Sequence, residues 1–305
     1  MVKYEVIIDT DIGDDIDDIF ALTYCLCNPL FDIKLIIVSS GDNDYKAKLV
    51  AYMLNKLNRI DIPIAKSINK PWGCNAQEAS IKDFDLFSYQ GLIYNDYEEA
   101  LFNLLSNGKY NFFEFGPSNV LSDFLHKYPN LKSNIDLYYM GGSVYRGYLN
   151  HPAKCAEYNV LMSVNATNHL FNLGMNITLL PVDSCYDLIV DNDEYKRLIK
   201  SNSNAAKLLL EQYLIWHTDY VGGSIKFDPD KSSTILYDLV VPMYFLYPSF
   251  FEEKLINLEI NEFGESRIIP GENIKVVTKA IKKEEIIKDF ISIIEGWVWR
   301  NWLKS

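Results

Sequence analysis

The feature that most limits what this chain can fold into is a crowd of acids near its start. Asp9-Thr10-Asp11-Ile12-Gly13-Asp14-Asp15-Ile16-Asp17-Asp18 puts six aspartates within ten residues. Tyr4 to Ile8, just before it, is an apolar run of strand length. Ile19 to Leu26, just after it, reads as a helix that Asn28-Pro29 stops. Carboxylates this close repel one another, so the arrangement is costly unless a cation neutralises it. A hard divalent ion with oxygen ligands is the usual answer. Capping is the plainer explanation, since Asp17 and Asp18 suit the positive end of the helix that follows. It accounts for two of the aspartates and leaves the others without a role. An EF-hand loop fails, because glycine is fifth from Asp9 rather than sixth and a strand leads in. A strand followed by Asp-x-Asp also fits phosphatases that form an aspartyl-phosphate, with Asp9 as nucleophile.

The rest of the chain alternates in the same way. Ile33 to Ser39 reads as a second strand and Tyr45 to Leu57 as a helix, and Ile62 to Ala65 starts a third strand. Further on, helices are expected at Glu98 to Leu105, Val120 to Lys127, Asn165 to Leu173 and Ala205 to Trp216. Strands are expected at Phe112 to Phe115, Ile135 to Met140 and Ile177 to Val182. Ile256 to Ile260 and Ile274 to Thr278 suggest strands flanking a Gly/Pro-rich turn, and Glu284 to Trp302 closes the chain as an amphipathic helix. This rhythm predicts an α/β fold with an open, mostly parallel sheet flanked by helices, in a single domain over residues 1–305. In such sheets ligands bind beyond the carboxyl ends of the strands. The sharp features fall there: the acidic loop, Gly41 to Asn43, Gly116 to Asn119, and Gly141-Gly142.

Composition narrows the partners. A net charge of −12 disfavours nucleic acid, whose binding needs basic patches to replace counterions. Five scattered cysteines, none in C-x-x-C spacing, point to reduced thiols in a cytoplasm. No apolar run approaches the roughly 20 residues of a membrane span, and the start does not resemble a signal peptide.

Taken together, these motifs resemble the inosine-uridine preferring nucleoside hydrolase family, the calcium-dependent N-ribohydrolases. That family opens with Asp-x-Asp-x-Gly, then Asp-Asp and a helix; here stand Asp9-Thr10-Asp11-Ile12-Gly13 and Asp17-Asp18-Ile19. Val38-Ser39-Ser40-Gly41-Asp42 is similar to its second-strand loop, and Phe115-Gly116-Pro117-Ser118-Asn119 to its Gly-Pro-x-Thr-Asn turn. Met140-Gly141-Gly142, Ala156-Glu157-Tyr158-Asn159 and Tyr237-Asp238 resemble its Met-Gly-Gly, Ala-Glu-Phe-Asn and His-Asp. The likeness runs along almost the whole chain, with four departures. The acidic loop is two residues longer. An ungapped alignment puts Asp15 and Ile16 on the Asp-Asp pair, whereas an insertion puts Asp17 and Asp18 there and keeps the helix in register. The Gly-Pro-Ser-Asn turn is one residue short, Asn150-His151-Pro152 is displaced relative to Glu157, and Tyr237 replaces histidine.

The resemblance implies cleavage of a small-molecule ribonucleoside to base and ribose, with Ca2+ as cofactor. It implies that Asp11, Asp18, Asp238 and the carbonyl of Ser118 hold the ion, and that Asp11 activates water. Asp17, Glu157 and Asn159, with Asn150 and Asp42, are expected to contact ribose. Trp216 is expected to stack on the base, and Tyr237 or His217 to assist its departure. Such families commonly form homodimers or homotetramers. A repurposed member that binds a ribosyl ligand without turnover is a further possibility.

Overall fold

The computed structural model describes residues 3–221 and 227–296. Among these, nine strands form one sheet. They are β1 Tyr4–Thr10, β2 Phe31–Val38, β3 Ile64–Lys66, β4 Ile93–Tyr94, β5 Tyr110–Glu114, β6 Ile135–Met140, β7 Asn176–Leu180, β8 Phe251–Ile260 and β9 Ser266–Ala280. Their spatial order is β4-β3-β2-β1-β5-β6-β7-β9-β8. Every neighbouring pair is parallel except β8–β9, which is antiparallel. The predicted α/β class and open, mostly parallel sheet are what is found.

The strand order explains where a ligand can sit. From β1 the chain steps outward through β2, β3 and β4, then returns to the other side of β1 and steps outward through β5, β6 and β7. The loops after β1 and β5 therefore diverge, and a crevice opens at their carboxyl ends. The acidic loop and the Gly116 turn are those two loops.

Side chains of β1 alternate between two cores. Val6 and Ile8 join one cluster and Ile7 the other, and all three are fully buried. Covered on both faces, a parallel strand reads as a continuous apolar run rather than an alternating one. The first helix, Asp17–Cys27, is buried from Asp17 through Leu26. Its Phe20 ring lies 6.0 Å from both Tyr213 and Phe290, and the Tyr24 hydroxyl donates to Asp289 Oδ2 at 2.5 Å. Truncating a buried phenylalanine of this kind costs about 3–5 kcal/mol, so the helix carrying the acids is firmly seated.

The structure corrects the end of the chain. The Gly/Pro-rich segment is not the turn between β8 and β9. The turn runs through Asn261 to Glu265, where the Asn261 amide donates to the Glu265 carbonyl. Pro270 and Gly271 lie inside β9, at a register shift that takes Asn257 opposite Ile269 and Ile256 opposite Ile274. Asn257 fills the bulge, accepting from the Asn273 amide and donating to the Pro270 carbonyl. The last helix is Lys283–Ile294, and the predicted continuation to Trp302 lies outside the described residues beyond Gly296. Helices at Asn192–Lys200 and Val240–Leu246 were not anticipated. The second consists of VVPMYFL, a short apolar run with a proline that sequence periodicity cannot separate from a strand.

Candidate active site

A cavity of about 590 Å³ opens at the crevice beside β1. The acidic loop supplies Asp11, Asp14, Asp15, Asp17 and Asp18 to its wall. Phe115 and Met140 come from the ends of β5 and β6, and Trp216, Tyr237 and Asp238 line it as well. No lysine, arginine or histidine lines it among the described residues.

Carboxyl oxygens of Asp17, Asp18 and Asp238 all lie within 4.8 Å of one another, and all three residues are buried. Burial pushes each of these carboxyls well above the usual range; the charges of Asp15 and Asp11 push Asp17 further, that of Asp17 pushes Asp18, and those of Asp17 and Asp18 push Asp238. Asp11, 4% exposed, shares the wall; burial and then the Asp18 charge raise it too. The Thr10 hydroxyl donates to Asp18 Oδ1 and accepts the Ile12 amide at 3.1 Å, which fixes the carboxyl at the end of β1. This is a hard, all-oxygen donor set with a surplus of negative charge, and it fits a divalent cation such as Ca2+ or Mg2+. Asp17, Asp18 and Asp238, with Asp11 beside them, are the residues that would hold it.

The loop extension has a clear geometry. Ile16 is fully buried in the core, Asp15 is exposed, and Asp14 pairs with Lys46 Nζ at 2.5 Å. Asp17 and Asp18, not Asp15 and Ile16, enter the cluster. Gly116 approaches Asp11 so closely that a Cβ there would lie 3.0 Å from both its amide nitrogen and its Oδ1. A larger residue would push the carboxyl out of place.

Glu157 and Asn159 also line the cavity. Glu157 accepts the amides of Gly142 (2.7 Å), Asn159 (2.8 Å) and Val160 (3.1 Å) and the Tyr148 hydroxyl (3.2 Å). Burial raises its pKa and these donors oppose the rise. Asn159 Nδ2 donates to the carbonyls of Phe115 at 2.6 Å and Met140 at 3.1 Å, so one amide ties the ends of β5 and β6 together.

Sequence comparison decides the family. The model of the inosine-uridine preferring nucleoside hydrolases matches residues 6–286. This chain belongs to that nucleoside hydrolase family. It is similar to pyrimidine-specific ribonucleoside hydrolases RihA of Escherichia coli, 26% identical over 72% of this chain and 74% of the relative. The enzyme of the same name in Shigella boydii is 27% identical over the same shares. Its fold is similar to a plant nucleoside hydrolase, with a TM-score of 0.80 at 16% identity over 96% of this chain and 99% of the other. A purine-preferring ribonucleoside hydrolase from Gardnerella vaginalis gives 0.78 at 19% identity over 96% and 98%.

Not every residue expected from the nucleoside hydrolase pattern reaches the cavity. Asp42 is exposed and caps the helix Asn43–Lys56, accepting the amides of Asp44 and Tyr45. Asn150 is exposed, has φ +61°, and accepts from Arg146 Nη1 at 2.6 Å instead of facing the cavity. His217 lies off the wall and pairs through Nε2 with the Phe227 carbonyl at 3.0 Å. The Ser118 carbonyl accepts the Ser122 amide at 3.1 Å, and Ser118 does not line the cavity. Trp216 and Tyr237 do line it. Trp216 stacks on Tyr213, and its buried Nε1 has no hydrogen-bond partner among the described residues. Tyr237 packs edge-on against Tyr148 at 5.4 Å, and burial raises its phenol, so it stays protonated at neutral pH and can donate a hydrogen bond. Asp9, the nucleophile of the phosphatase alternative, is fully buried beneath the site and does not reach the cavity.

Two residues escaped sequence reading. Asp183 clamps the loop after β6 by accepting the amides of Val144, Tyr145 and Arg146. Lys46 shares a helical stripe with Leu49, Val50 and Met53, all buried. A lysine in an apolar stripe was the available signal.

Proposed function

We propose that the chain hydrolyses the N-glycosidic bond of ribonucleosides, releasing base and ribose. The observation that carries this reading is the meeting of Asp17, Asp18 and Asp238 in a cavity that Asp11, Tyr148, Trp216 and Tyr237 also line. A bound divalent cation, Ca2+ by family resemblance, would supply Lewis-acid polarisation of water and of sugar hydroxyls. With the charge of the cluster balanced, Asp11 is ionised and takes a proton from the attacking water as a positioned base. The oxygen of that water bonds to the sugar carbon, while the C–N electron pair leaves with the base through an oxocarbenium-like transition state. Glu157 and Asn159 orient ribose hydroxyls, which favours ribosides over deoxyribosides because a missing hydroxyl leaves buried polar groups unpaired. Trp216 offers a face for the base, and the Tyr237 phenol donates a hydrogen bond to it as it departs. The resemblance also carries the expectation of a homodimer or homotetramer, which light scattering tests; the scattered cysteines support a cytoplasmic setting and the net charge of −12 speaks against nucleic acid as a partner.

The direct test is release of reducing sugar from a panel that includes inosine, guanosine, uridine and cytidine, with Ca2+. Chelation and Asp11→Ala should each abolish it. A riboside that binds without turnover would assign the chain a binding role instead.

A further inference from the structure

Lys46 is fully buried, and its ammonium meets three oxygens. Nζ lies 2.5 Å from the Asp11 carbonyl, 3.0 Å from the Ile12 carbonyl and 2.5 Å from Asp14 Oδ1. Three donors thus find three acceptors. The same Asp14 oxygen accepts the Cys74 amide at 3.1 Å, and Cys74 Sγ donates to the Asp14 carbonyl at 3.0 Å. Gly73, at φ +97°, packs so tightly on Asp14 that a Cβ would sit 2.8 Å from Oδ2. The Ala76 amide donates to the Gly13 carbonyl at 2.8 Å. One ion pair therefore joins the acidic loop, the helix after β2 and the segment around Gly73 and Cys74, both of which wall the cavity. Lys46 itself does not line the cavity, so it touches no substrate.

We propose that Lys46 is a positioning residue: a resident cation that folds the two-residue loop extension back onto the protein, takes up the charge of Asp14, and anchors the Asp11 backbone so that its carboxyl faces Asp17, Asp18 and Asp238. The crowded loop then carries two cation sites with different tasks. Lys46 serves Asp14 permanently, and the remaining acids are left for an exchangeable ion. A mobile ion alone would leave the loop without an anchor whenever it dissociated; a covalently attached ammonium does not leave. Losing either partner strands a buried charge, whereas losing both removes the charge but not the need to hold two carbonyls.

The inference rests on the hydrolase reading only where turnover is measured. The variants are Asp14→Asn, Lys46→Met and the double variant. Thermal melting, calorimetric titration with Ca2+ and turnover of the best riboside are followed for each. Both single variants should melt lower than wild type, with the double variant regaining at least half of the loss. Asp14→Asn should bind Ca2+ within about threefold of wild type. Despite its recovered melting, the double variant should bind Ca2+ at least tenfold more weakly and show kcat at least tenfold lower. A double variant that recovers Ca2+ binding and turnover along with stability would reduce Lys46 to filler and overturn the proposal. So would a loss of Ca2+ affinity beyond tenfold in Asp14→Asn, which would make Asp14 a ligand. If wild type turns over no riboside, the hydrolase reading falls, and calorimetry still decides the role of Lys46.

Discussion

Asp9 and Glu114 stand directly opposite each other on the neighbouring parallel strands β1 and β5, two fully buried carboxyls side by side beneath the site. Burial pushes Asp9 up to about 7 and Glu114 well above its usual range, and the Asp9 charge raises Glu114 further. A raised carboxyl favours the folded state while it is protonated. For Asp9 that contribution is complete below the unfolded value of 3.8 and is lost as pH rises through about 7, and Glu114 acts in the same sense from 4.5 upward. Chelator-treated protein should therefore resist urea better at pH 5 than at pH 8. Other acids of the cluster share in this loss, and Glu114→Gln isolates the share of the pair: its stability should fall less over the same interval. Parallel curves for variant and wild type would show that the pair carries no such charge.

The three clustered carboxyls make a prediction whose sign depends on the ion. In chelator, Asp238→Asn relieves repulsion, and its melting temperature should equal or exceed that of wild type. With Ca2+ at about 100 times its dissociation constant, wild type should gain roughly 2.7 kcal/mol and overtake the variant. Turnover by the variant should fall by on the order of a hundredfold. Equal stabilisation of both proteins by Ca2+ would remove Asp238 from the ligand set.

Asp42 and Asn159 separate capping from ligand contact. Asp42→Ala should cost about 1 kcal/mol of stability through the lost helix cap and leave KM unchanged. Asn159→Ala should cost about 1–3 kcal/mol, because two strand-end carbonyls lose their donor, and should raise KM for the riboside. Urea titration with steady-state kinetics reads both. A KM change in Asp42→Ala would restore the ribose contact that its position argues against.

Trp216 is buried with an indole N–H that no acceptor meets among the described residues. Trp216→Phe keeps an aromatic face and loses the donor. It should raise KM severalfold with only a small change in melting. Trp216→Ala should cost about 3–5 kcal/mol through the cavity it leaves. An unchanged KM in the phenylalanine variant would exclude the N–H from ligand binding.

Much of this is legible in the sequence. The strand run at Tyr4 to Ile8, the helix after Asp18 and the repeated β-α rhythm fix the parallel sheet, because a strand covered on both faces must be apolar throughout. Asp11, Asp17, Asp18, Glu157, Asn159, Trp216, Tyr237 and Asp238 were named and do share one cavity. Asp42 and Asn150 lie off the cavity wall for a common reason. A short polar residue at a loop can turn its side chain to a local backbone or side-chain partner as readily as to a ligand, and spacing alone does not say which. Asp14 stayed unexplained because its partner, Lys46, lies 32 positions away in sequence. The bulge in β9 was hidden because Pro-Gly signals a turn as strongly as it signals an interruption within a strand.

The position of β1 in the middle of the sheet has a consequence for assembly. Its partners begin at residue 31 on one side and residue 110 on the other, and the acid that completes the cluster arrives at residue 238. A nascent or truncated chain bearing the acidic loop therefore carries the charges without the enclosure. Ion affinity should appear late and in a single step, as a property of the finished sheet, so an ion-loaded molecule is also a proofread one.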